Sequence, residues 1–286
     1  AEPAFFTTAL VGAGFDLNLN FNAPAASDAT VLNGTFTGIR NLTSGNGGTT
    51  TIDGNISTTG TQTYNDAVVI AGGDSVTRTL TSTGTGNNGN VTFNSTINAT
   101  TANTEALSIV SGGTTTFAGS IGLDTDGVFG GTDKQLAALT TDGAATGGTT
   151  ISGGTIFATT IDFNDTVTLG LGTVIKGTTS SFDHATAILG GGNSLTLSGT
   201  GLTTISGNVS NVNSLTRDAG TTTFGLAAGS VAISVTTTGA QSYQGTINLD
   251  QDTTLTGSSV TSATTAITSP GTTTVGSKTL TVNIFP

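Results

Sequence analysis

The chain has 286 residues, of which 43 are Gly and close to a quarter are Thr; charged residues make up only 8%, and the net charge is −11. The six basic residues, Arg40, Arg78, Lys134, Lys176, Arg217 and Lys278, are scattered, which excludes the clustered cations that binding a phosphate backbone requires. No apolar run approaches the ~20 residues of a membrane helix, and the absence of Cys excludes a disulfide framework and thiolate metal sites.

Hydrophobic residues at 34% argue against a solvated disordered polymer. They are mostly Val, Ile, Leu and Phe interleaved with Thr, side chains that suit a pleated, half-buried surface. Strong helix formers are scarce. The composition predicts an all-β chain.

The first segment, AEPAFFTTALVGAGFDLNLNFNAP (1–24), opens like a mature terminus left after signal-peptide removal, so export is expected. It is the richest apolar stretch, and FDLNLNF alternates as a strand does. Phe5, Phe6, Phe15, Leu17, Leu19 and Phe21 are candidate assembly residues. They suit a cap over the first coil, or a strand that docks on a neighbouring subunit by edge pairing or strand donation. Residues 1–44 are therefore set apart from the repeats as an N-terminal cap or assembly segment.

Repeats follow. TTGTQTYNDAVVI (58–70) returns as TTGAQSYQGTINL (237–249), with a degenerate relative in ATTIDFNDTVTL (158–169). Tyr64 and Tyr243, the only tyrosines, and Phe163 hold the same place in the three copies. The wider matches divide 45–286 into a partial unit (45–80), full units of about 81–176 and 177–256, and a truncated unit (257–286). Inside each unit, runs such as TTTF, LTL and TLTV alternate apolar residues with Thr, and Gly, Asn or Asp follows every few residues. Period two gives strands with one inward face, and Gly and Asn supply corners.

This texture predicts a β-solenoid of ~20–25 residues per turn, with like strands stacked at ~4.8 Å; an antiparallel β-sandwich is the alternative. The recurring phrases are expected to lie over one another. The aromatic at each strand end is expected to be a packed ring near a corner, with stacking on sugars as the alternative role. At the far end, KTLTVNIFP also alternates and stops mid-unit. Leu280, Val282 and Ile284 are the candidates there for a complementary surface, which would build a head-to-tail open filament of identical copies.

Reactive chemistry is sparse. The one histidine, His184, follows Asp183 at an ordinary repeat position, and no G-x-S-x-G elbow accompanies it. LDTDG (123–127) places Asp124 and Asp126 in an inserted loop with Asp133 nearby, a weak calcium candidate that lacks the spacing of an EF-hand. GTGNNG (84–89) matches a dinucleotide fingerprint by letters only. Eight N-x-S/T sequons, among them Asn55, Asn94 and Asn208, are about what so much Ser and Thr produces by chance. A polysaccharide lyase or hydrolase needs convergent acids and bases, and the few charges form no cluster. The expectation is a non-enzyme without catalytic residues, and without a cofactor unless calcium binds.

The phrases TTGAQSYQGTINLDQDTTLTG, VTFNSTIN, GGTTTFAGSIG, LAALTTDG and GGNSLTL resemble the repeats of filamentous-haemagglutinin-like and autotransporter-like surface proteins. The resemblance covers roughly 45–285. It implies a right-handed parallel β-helix on the surface of a Gram-negative bacterium or in its extracellular matrix. It implies structural or adhesive work, with copies of itself and surface glycans as expected partners, and no catalytic residues to transfer. Such proteins are often very large, whereas this chain is short.

Overall fold

A computed structural model describes residues 5–6, 8–20, 29–45, 47–73, 76–125, 133–143, 147–182, 187–226, 231–263, 271–275 and 277–285. Among them there is no α-helix; apart from a single 3-10 turn at Gly86–Gly89, the regular elements are short strands, nearly all in parallel pairs. The fold is a parallel β-helix. The antiparallel sandwich is excluded by the pairing itself, because successive strands of a sheet come from successive turns and run the same way.

The chain divides into two compact units, residues 1–159 and 160–286. In the first, each turn contributes a strand to each of three sheets. One runs from Phe5–Phe6 through Ala29–Leu32, Thr49–Ile52 and Ala67–Ile70 to Ile97–Ala99. A second runs from Leu10–Val11 through Phe36–Ile39, Ile56–Thr58, Thr77–Ser82 and Ala106–Ser111 to Leu136–Gly143. The third contains Leu17–Leu19, Leu42–Ser44, Gln62–Tyr64, Val91–Phe93, Thr114–Phe117 and Gly148–Ile151. Coiling thus begins inside the segment set apart in sequence as 1–44. Leu17 already pairs with Leu42, and Leu42 with Gln62.

The second unit repeats the plan. One sheet begins with the end of the strand Thr155–Phe163 and continues through Thr179–Phe182, Leu202–Ile205, Thr221–Phe224 and Thr246–Leu249. Another runs Thr173–Lys176, Leu195–Ser198, Leu215–Arg217, Ala240–Tyr243, Ser259–Ser262. The third ends with Thr253–Gly257 beside Lys278–Ile284, and there the pattern breaks: Gly271–Val275 pairs antiparallel on the outer side of Lys278–Ile284.

Period-two sequence becomes columns. In the third sheet of the first unit Leu19, Ser44, Tyr64, Phe93, Phe117 and Ile151 stack inward, while Asn18, Thr43, Thr63, Thr92, Thr116 and Thr150 stack outward. The inward rings of Tyr64 and Phe93 lie parallel with centroids 5.0 Å apart, and Phe93 and Phe117 at 5.6 Å. Fully buried apolar side chains of this kind contribute about 1.5–3 kcal/mol each, and they fill the coil.

Corners explain the abundance of Thr, Ser, Asn and Gly. A buried hydroxyl at a strand end donates to a corner carbonyl: Thr58 and Ser82 both reach Gly60 O at 2.7 Å, and Ser111 reaches Gly89 O at 2.8 Å. An Asn or Asp side chain accepts the backbone N–H of the next turn: Asn41 from Thr61, Asn55 from Thr79, Asn90 from Thr114 and Asn208 from Ser234, each at 2.9 Å, and Asp252 from Thr279 at 2.8 Å. Buried backbone groups must be paired, and these side chains pair the ones that strands leave over at bends. At Gly54 a Cβ would collide with the carbonyl of Gly34 one turn below, so this corner is close-packed backbone.

The turn length varies more than the expected ~20–25 residues. It takes 20 residues from Leu42 to its neighbour Gln62 and 34 from Thr115 to its neighbour Thr149. Extra residues leave the coil as loops at corners without disturbing the inward columns. For this reason the three recurring phrases do not lie over one another. Tyr64 stacks between Ser44 and Phe93, Phe163 packs on Phe182, and Tyr243 lies between Arg217 and Ser262.

Candidate functional site

The sequence points to the ends of the coil as the working surfaces. In the first unit, Phe5–Phe6, Leu10–Val11 and Leu17–Leu19 each have a strand partner on one side only among the described residues. Their other edges carry backbone donors and acceptors able to pair with a further strand. The apolar side chains divide by position. Leu19 is buried, and Phe6 is half-buried with its ring edge-on to Phe36 at 5.7 Å. Leu17 is half-buried, and Phe15 is 72% exposed. Of Phe5 only the strand backbone is described, and Phe21 lies outside the described residues.

Val11, which the sequence does not single out from its apolar neighbours, is 73% exposed. Val11 and Phe15 are thus two large apolar side chains presented to solvent by the same turn. Just after Phe15 the turn is firmly held. Asp16 takes both Nε and Nη2 of Arg40 at 2.7 Å, and Asn41 donates to it from its backbone at 3.1 Å and its side chain at 2.9 Å. The Arg40 guanidinium, with help from Asn41, holds the Asp16 carboxyl down at about 2. This clamp fixes the loop that displays Phe15 against the next turn.

At the other end the candidates resolve differently. Leu280 and Val282 are core residues of the second unit, and Ile284 is half-buried. The strand that carries them is paired on both sides, so its edge offers nothing to a partner. The sequence alternation is real, but the buried face points into the coil, and the antiparallel strand Gly271–Val275 takes the edge. In this unit Thr246–Leu249, Ser259–Ser262 and the outer strand Gly271–Val275 itself have one neighbour only among the described residues.

The repeat aromatics Tyr64, Phe163 and Tyr243 are at most 1% exposed, so none offers a ring face to a sugar. Each tyrosine hydroxyl instead donates to a glutamine two residues earlier at 2.9 Å, Tyr64 to Gln62 and Tyr243 to Gln241. Each glutamine amide then donates to a backbone carbonyl, Gln62 to Thr81 O and Gln241 to Thr256 O, both at 2.9 Å. The repeated phrase encodes a buried Gln-x-Tyr tie from one strand to a strand of another sheet. Burial pushes both phenols above their ordinary pKa.

Asp124 is half-buried near the base of the inserted loop, while Asp126 lies outside the described residues, as do Asp183 and His184. No group of three or more His, Cys, Asp or Glu that would hold a metal occurs among the described residues. The GTGNNG stretch forms the 3-10 turn Gly86–Gly89 at a corner and opens no helix. Sequence reasoning did not find the buried Arg217. It stands in a column between Leu197 and Tyr243, with Nη1 donating to Leu197 O at 3.1 Å and Nη2 to Gly201 O at 2.8 Å. Burial lowers its pKa, and Asp218, 3.7 Å away, opposes that.

The chain matches no family model, no curated protein and no solved structure among those compared.

Proposed function

We propose that this protein is an extracellular structural element that associates end to end with copies of itself at the surface of a Gram-negative cell or in its matrix. The observation that carries the reading is the first turn: three one-sided strand edges flanked by exposed Val11 and Phe15. A strand edge beside exposed apolar side chains favours pairing with another strand, because main-chain hydrogen bonds add to apolar burial. The edges available to receive it are those of Thr246–Leu249, Ser259–Ser262 and Gly271–Val275. Contact between unlike ends is heterologous, and where its rotation does not close it propagates as an open filament. The resemblance to haemagglutinin-like repeats supports the surface location.

The test is light scattering and negative-stain imaging of the purified chain beside the double variant Val11→Asp/Phe15→Asp. Filaments or a concentration-dependent ladder of oligomers are expected from the parent, and single particles with unchanged far-UV circular dichroism from the variant. A parent that stays monomeric at high concentration overturns the reading.

A second reading, a glycan-binding rod, is favoured by a polar groove on the first unit lined by Asn18, Asn20, Thr43, Gly45, Asn65 and Asp66. Amide and carboxylate groups of this kind suit sugar hydroxyls. Loss of glycan retention on an array after Asn18→Ala and Asn65→Ala would support it.

A further inference from the structure

We propose that Asp133 and Gln135 form a calcium site beneath the inserted loop of the first unit. Asp133 and Gln135 are both 1% exposed, and Lys134 between them turns outward to donate from Nζ to Thr100 O at 2.8 Å. The carboxylate and the carboxamide are thus both buried, two residues apart in the chain. One carboxylate oxygen of Asp133 is fully engaged: Oδ1 accepts the backbone N–H and the hydroxyl of Thr125, both at 2.8 Å. The other, Oδ2, is buried and has no donor, and the Gln135 side-chain oxygen Oε1 is likewise buried without a donor.

Two orphaned acceptors two residues apart, one of them anionic, are costly in a low-dielectric interior. No basic side chain pairs with Asp133 among the described residues; Lys134, the nearest in sequence, points its ammonium elsewhere. A cation in reach of both oxygens would satisfy them together.

The donor chemistry selects the ion. The ligands are oxygens only, a carboxylate and an amide carbonyl, which excludes the soft and borderline metals that prefer nitrogen or sulfur. Calcium accepts such oxygens in irregular geometry and completes its shell with backbone carbonyls and water, while magnesium demands a near-octahedral set. The site moves the sequence-level candidate from Asp124 and Asp126 to the far side of the loop. Because Asp133 also clamps Thr125, an ion bound there would fasten both ends of the loop to the coil.

The experiment is calorimetric titration of the EGTA-treated full chain with calcium chloride and with magnesium chloride, together with thermal melts in each. One saturable calcium event and a rise in melting temperature, absent with magnesium, are expected. Asp133→Asn should lose both, while melting in EGTA no lower than the parent, since it removes an uncompensated charge. Gln135→Leu should weaken calcium binding and shrink the shift. No calcium heat and no shift in the parent overturn the proposal, as does equal response to magnesium or full binding by a folded Asp133→Asn variant.

Discussion

Tyr64 and Tyr243 illustrate how much a single buried hydroxyl carries. Tyr64→Phe keeps the ring and strips the donor from Gln62 Oε1, leaving a buried acceptor unpaired, at a cost of about 1–3 kcal/mol. Denaturant melts of the variant measure it. The same burial makes the protein sensitive to alkali. An unfolded tyrosine ionises near its ordinary value of 10, whereas the folded phenols hold their protons to higher pH. Their contribution is thus fully present below pH 10 and is lost as pH rises above it, by up to about 1.4 kcal/mol per pH unit for each tyrosine. Tyrosinate absorbance should appear together with loss of strand circular dichroism, in one step. Arg217 makes the opposite case. Its two carbonyl partners keep backbone donors without it, Leu197 O from Asp218 and Gly201 O from Thr221. Arg217→Met therefore orphans nothing and should be neutral or stabilising, whereas Arg217→Ala opens a cavity and should cost about 2–5 kcal/mol.

The strand columns are the next level. Phe93 lies between the rings of Tyr64 and Phe117, so Phe93→Ala breaks a three-ring stack at its centre. The expected loss is about 3–5 kcal/mol. In a coil whose turns touch only their neighbours the damage should be local: hydrogen exchange should accelerate first in Gln62–Tyr64 and Thr114–Phe117. These strands were readable in sequence because QTY, VTF and TTTF carry both the alternation and the terminal ring. The Asn and Gly of the corners were readable for the same reason, as residues that suit bends. Register was not. The length of a turn depends on how many residues a corner extrudes, and loop closure changes slowly with length, so nothing local in the sequence distinguishes a turn of 20 residues from one of 34. Hence the copies of the Gln-x-Tyr phrase look as though they should stack, yet each lies against other neighbours. The alternation of KTLTVNIFP marked a strand correctly but could not say which edge was already occupied. The sequence placed Asp133 only as a neighbour of Asp124 and Asp126 and did not set Val11 apart, because the burial of one and the exposure of the other are products of coiling.

For the molecule as a whole, charge would set the conditions for the proposed end-to-end contact. Each copy carries a net charge of −11, so two copies repel at long range, while the edge of the first turn offers strand pairing and apolar burial at Val11 and Phe15. Repulsion is screened beyond a Debye length of ~10 Å at 0.1 M salt and ~3 Å at 1 M, whereas burial of apolar surface is not weakened by salt. End-to-end association should therefore strengthen from low to high sodium chloride. The exposed Asp16–Arg40 pair lies within one chain and does not oppose this trend. Sedimentation velocity across a salt series measures it: larger species should accumulate as salt rises, and Val11→Asp/Phe15→Asp should remain monomeric throughout. Dissociation on adding salt would mean that the contact is held by opposite charges, and the first-turn edge would then not be the surface that joins the copies.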